Sequence, residues 1–195
     1  MKRRMERKDK PDRRHFRVLS GGQDPVANLG SILVVAGGPE EAPPFQVEAS
    51  VMEEDTFLVL SAEPIVVDPL EEPIRLMTRL IETRQETPGS VLVRGSGPYR
   101  MLAIVHDVEQ DPTWREEWVA EALEQSLREA EARELRCISL EMLGCMHGRL
   151  GSARFAALFE EAVLRVRPRR LKRVWLRVPR KRNPGVVARM LREAH

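Results

Sequence analysis

Residues 136–166 read RCISLEMLGCMHGRLGSARFAALFEEAVLRV. The apolar run Arg136–Leu143 reads as a strand, Gly144–Gly151 as a glycine loop, and Ser152–Val166 as a helix capped by Ser152. In that order, backbone amides and the positive end of a helix dipole lie just past the C-terminal end of a strand. Such a place welcomes phosphate, the glycines let a ligand approach the backbone, and Arg149 adds charge. Gly144, Cys145, Met146, His147, Gly148, Arg149, Gly151 and Ser152 are therefore ligand candidates. A plain glycine turn with no ligand explains the same residues, and both readings stand. The loop lacks the Gly-Lys-Ser/Thr of a Walker A motif and the GxGxxG of a dinucleotide fingerprint.

Working outward, Leu171–Val178 reads as a basic strand and Pro184–Ala194 as a short closing helix. Upstream, Thr113 with Glu116 forms a capping-box pattern opening a long helix to about Glu134. Its inward face is Val119, Ala122, Leu123, Leu127 and Ala130. Ser90–Arg94 and Arg100–Val105 read as strands about the Gly95-Ser96-Gly97-Pro98 turn. Earlier strand expectations are Ser31–Ala36, Phe45–Val51, Thr56–Leu60 and Ile65–Val67, with a helix over Glu71–Thr87. Strands alternating with helices point to an α/β fold with a largely parallel or mixed sheet covered on both faces.

From Pro88 to about Val178 the chain resembles a macro domain, the ADP-ribose-binding fold related to the N-terminal domain of leucine aminopeptidases. Pro88-Gly89-Ser90-Val91-Leu92-Val93 is similar to the family's Gly-x-Ala-Val-Val-Thr segment, and Ala103–Val108 to its Val-Ile-His-x-Val-Gly. Arg136–Leu140 resembles the Ser-Ile-Ala-Phe-Pro strand, and Gly144–Gly148 stands where the family has Gly-Thr-Gly, its phosphate-binding loop. The resemblance implies a three-layer α/β/α domain with a mixed central sheet. It also implies a remodelled site, because the chain has no Asn-Ala-Ala-Asn. Ile65–Pro69 is assigned that place, with Asp68 as its polar candidate, and Met146 replaces a glycine that lets the diphosphate in. De-ADP-ribosylation is not expected.

The 195 residues suit one domain: 1–25 a basic tail and linker, 26–178 the macro-like body, 179–195 a basic extension with a short helix. Aromatics are 5%, so the core must come from aliphatic residues and Met. Two cysteines, no secretory leader pattern and no apolar run long enough to span a bilayer point to a cytoplasmic protein. A Cys-x-His pair at 145–147 has no second pair at tight spacing, so no metal or cofactor is expected.

Charge is segregated. Residues 1–17 carry nine Lys/Arg against three acids, and 165–195 carry twelve against one, leaving the body acidic. Arg169, Arg170, Lys172, Arg173, Arg177, Arg180, Lys181 and Arg182 are candidates for contacting nucleic acid. Pairing with the acidic helix at 115–134, within one chain or between subunits of an oligomer, accounts for them equally. Two functions follow: a noncatalytic macro-like binding or scaffold domain with a weak nucleotide, ADP-ribose or anion site at 144–151, or a nucleic-acid-associated protein using its basic ends.

Overall fold

Alternate residues of five parallel strands point into one core, and that alternation fixes how the sheet sits. The computed structural model describes residues 25–60 and 85–193. Its strands are β1 (Val26–Leu29), β2 (Ile32–Gly37), β3 (Ala49–Asp55), β4 (Val91–Arg94), β5 (Tyr99–His106), β6 (Cys137–Glu141) and β7 (Arg173–Arg177). Its helices are α1 (Glu116–Ala132), α2 (Ser152–Val166) and α3 (Pro184–Glu193). The strands form one mixed seven-stranded sheet in the order β1-β2-β7-β6-β3-β5-β4. The two edge strands run antiparallel to their neighbours and the inner five run parallel.

Ile32, Val34 and Ala36 of β2 share the buried face with Val174 and Leu176 of β7 and with Ile138 and Leu140 of β6. The helices close over this face. The inward residues of α1 are Val119, Ala122, Leu123, Leu127 and Ala130, as the periodicity requires, joined by Ser126, whose hydroxyl donates to the Ala122 carbonyl. Phe155 and Phe159 stack from α2, and α3 adds Val187, Ala188 and Leu191. The opposite face also carries buried side chains, among them Leu102, Ile104, Cys137 and Trp175.

Several elements differ from the sequence reading. The strand expected at Phe45–Val51 begins at Ala49 and runs on to Asp55, while Phe45 lies under the Arg173 guanidinium, 5.2 Å from its ring centre. Thr56–Leu60 is a turn and not a strand, because the carboxylates before it capture its amides. β1 was not anticipated; Gly30, at φ +56°, turns it into β2. No capping box forms at Thr113: α1 starts at Glu116 after an uncapped Arg115, and the Thr113 carbonyl accepts the Asp107 amide instead. Ser152 is the first helical residue of α2, not its cap, which is Gly151. The Ile65–Val67 strand, Asp68 and all but the last residues of the Glu71–Thr87 helix lie outside the described residues, as does the tail; Gln85–Thr87 are not helical. Among the described residues no helix is long and apolar enough to cross a membrane.

Candidate ligand-binding site

The parallel strands all deliver their C-terminal ends to one edge, and the 144–151 loop lies there between β6 and α2. The loop is closed by its own backbone. The Cys145 amide donates to the Met142 carbonyl and the Leu150 amide to that of Gly144, both at 3.0 Å. Gly144 has φ +73°, and a Cβ on Gly148 would lie 2.4 Å from the Gly144 oxygen. Both glycines are thus required by the loop itself, whatever it binds.

Beneath the loop lies Glu53, a buried carboxylate from the end of β3. One oxygen, Oε2, accepts the Gly144 amide at 3.1 Å; Oε1 accepts the His147 amide at 3.3 Å and bonds Nε2 of buried His106. The His147 ring stands edge-on to His106, centroids 6.0 Å apart. The Glu53 amide donates to Glu141 Oε2 at 3.0 Å, and Glu141 Oε1 pairs with Arg177 at 3.0 Å. This network ties the ends of β3, β5, β6 and β7 together.

The next two residues act on the following turn. Asp55 accepts the amides of Phe57, Val59 and Leu60, and Glu54 those of Asp55 and Leu60, at 2.7–3.1 Å. Burying such acids is tolerable because each carboxylate finds backbone donors. Thr56 Oγ1 is also buried there and has no hydrogen-bond partner among the described residues.

An open cleft of about 670 Å³ borders the loop, between Pro39–Glu40 after β2, Cys145–Met146, and Pro179–Arg182 after β7. Arg180 pairs with Glu40. Arg182 donates to the Ser152 hydroxyl and, at 3.1 Å, to the Leu150 carbonyl, pinning the end of the loop to the start of α2. Met146 is 47% exposed at the cleft. Burial pushes the Cys145 thiol up to about 11, although Arg182 pulls it the other way, so it remains a neutral thiol at ordinary pH. Beside this cleft and sharing Glu40 is an apolar hollow of about 530 Å³ lined by Pro25, Val35, Ala36, Pro44 and Trp175.

Of the loop candidates, Cys145 and Met146 are brought together with Arg180, Lys181 and Arg182 at the cleft, while the Gly144 and His147 amides turn to Glu53. Arg149 and Gly151 are exposed and Ser152 is engaged by Arg182. Arg169, Arg170, Lys172 and Arg173 lie at the opposite edge of the sheet, where Arg170 pairs with Glu134 at 3.3 Å. Arg177 sits at the near edge but is spent on Glu141. No group of three metal-binding side chains forms among the described residues. Glu53, Glu54 and Asp55 escaped sequence reasoning, although three successive acids closing an apolar strand were a visible signal.

No family model matches this sequence, and no curated protein matches it significantly. Solved structures do match. The Oceanobacillus iheyensis macrodomain solved with ADP superposes with a TM-score of 0.58 at 13% identity, over 86% of this chain and 94% of that one. The chain has a macrodomain fold. A variant of the same Oceanobacillus protein solved with ADPR gives 0.58 at 12% identity, over 86% and 96%. The macrodomain of Thermus aquaticus DarG gives 0.52 at 23% identity, over 75% and 97%. At these identities the likeness is one of macrodomain architecture and carries no residue roles.

Proposed function

We propose that this chain is a noncatalytic macrodomain-like binding module that takes a nucleotide of the ADP-ribose class at the C-terminal edge of its sheet. The observation that carries the reading is the cleft at 39–40, 145–146 and 179–182, an open hollow next to a glycine loop and walled by three cations. Solved macrodomains of the same architecture hold ADP and ADPR. β3 ends in Met52-Glu53-Glu54-Asp55 directly against the glycine loop, so this segment, not 65–69, is our choice for the place of the missing Asn-Ala-Ala-Asn. Its carboxylates hold backbone amides, which supports a binding role over an acid–base one.

The nucleic-acid alternative gains no comparable support. A five-residue strand rises about 13 Å between its first and last residues, and β7 uses that rise to separate Arg173 from Arg177, dividing the basic run between two edges.

Isothermal titration calorimetry of the full chain with ADP-ribose tests the proposal. Saturable, weak binding is expected, reduced about tenfold or more by Met146→Glu, which sets a like charge at the cleft without touching the core. Gly148→Glu should abolish binding through the loop. ADP-ribose binding that neither substitution weakens would place the ligand elsewhere and overturn the assignment.

A further inference from the structure

A glycine loop that receives phosphate does so with its amides, and here four of them, those of Gly144, Cys145, His147 and Leu150, are already taken. The Gly144 and His147 amides point into the Glu53 carboxylate at 3.1 and 3.3 Å, and the Cys145 amide is given to Met142. A phosphate seeking the first two would have to evict a buried anion that also holds His106. It would meet that anion's charge at short range, where the low dielectric strengthens repulsion. The positive charge that a nucleotide's phosphates need must then come from another wall of the cleft. That wall is Arg180-Lys181-Arg182, three cations against the single carboxylate of Glu40. Lys181 has no ion pair among the described residues, and Arg180 is paired only at the exposed surface, where a rival anion competes readily.

Resting on the reading that the cleft takes a nucleotide, we infer that its phosphates are held by the side chains of Arg180 and Lys181, with Arg182 adding charge from where it pins the loop, and not by the amides of Gly144, Cys145 and His147, so that the site grades nucleotides by phosphate charge. A fixed cup of amides fits one phosphate geometry. Exposed cations such as Arg180 and Lys181 instead respond to how much charge arrives, and their grip weakens with salt. The ligand class is accordingly a nucleotide with two or more phosphates, with a further terminal phosphate strengthening the hold.

Calorimetry of the full chain with AMP, ADP, ADP-ribose and ATP, at low and moderate salt, reads this directly. Affinity should climb about three- to fivefold at each added phosphate, fall as salt rises, and lose that gradient in Lys181→Glu, a change at an exposed position whose fold circular dichroism can verify. If the wild-type chain binds ADP or ADP-ribose while AMP, ADP and ATP agree within about twofold, the inference fails and the nucleotide reading survives. An unchanged gradient in Lys181→Glu also overturns it. If none of the four binds at millimolar concentration, the nucleotide reading itself falls, and the inference with it.

Discussion

The two edges of the sheet use one device to different ends. At the N-terminal edge Glu48 Oε2 accepts the amides of Arg136 and Cys137 at the entry to β6, and Glu131 Oε1 those of Arg170 and Leu171 at the entry to β7. At the C-terminal edge Glu53, Glu54 and Asp55 do the same for the exits of β3 and β6. The difference lies in where the compensating charge goes. At the first edge the acids are partly exposed and neighbouring arginines pair with glutamates of α1 and its end, Arg165 with Glu124, Arg133 with Glu129, Arg170 with Glu134. At the second edge the acids are hidden under the loop, and the cations of 180–182 face a cleft. The first edge neutralises itself; the second, which buries its acids and displays its bases, is the one at which we propose an anion binds.

Breaking the buried carboxylate should have the largest effect. Glu53→Ala removes the partner of His106 and of two loop amides at once, leaving three polar groups unsatisfied in a dry place. A loss of about 3–5 kcal/mol in urea-induced unfolding is expected. Glu48→Ala at the other edge removes the acceptor of two amides near water and should cost only about 1 kcal/mol. If the two substitutions cost the same, the contrast between a dry and a wet edge is wrong.

Gly37→Ala comes next. A Cβ on Gly37 would lie 1.7 Å from Cη2 of Trp175, inside the ring, so the indole must leave its place beside the cleft. Overpacking of this kind costs about 1–3 kcal/mol. With Trp114 and Trp118 replaced by Phe, Trp175 fluorescence should shift as the ring gains water, and an unshifted spectrum would show that the backbone yields instead.

How far the sequence could take a reader follows from which interactions are local. The β6–loop–α2 unit and the inward face of α1 were legible because periodicity and glycine placement are properties of neighbouring residues. The order of elements after Pro88 was legible too. β3 was misplaced by several residues because Glu53-Glu54-Asp55 looks like a solvated turn until the amides of Gly144 and His147, some ninety residues on, are brought to it. Thr56–Leu60 has the apolar pattern of a strand, but Glu54 and Asp55 take its amides first. The basic run at 169–182 reads as a single patch along the chain, and only the strand between its halves shows that it serves two edges.

The mildest test acts on the N-terminal edge. Partial burial pushes the Glu131 carboxyl up, but the amides of Leu171, Arg169 and Arg170, with the Arg170 charge, more than reverse this and hold it below its ordinary value of 4.5. A carboxylate held down in this way contributes stability that is present above its unfolded value and is lost as pH falls through its folded one. Glu131→Gln should therefore cost about 1 kcal/mol at neutral pH, and the cost should begin to shrink below about pH 4.5, as the unfolded carboxylate protonates, and vanish as pH falls through the lower folded value. Arg170→Ala, which removes an exposed pair with Glu134 and the charge near Glu131 but leaves the backbone amides in place, should cost less, under about 0.5 kcal/mol at neutral pH. Thermal unfolding of the three chains between pH 3 and 7 decides between them. A pH-independent cost for Glu131→Gln would mean that the amide side chain fails by its shape alone, and that charge plays no part in how this edge holds the entry of β7.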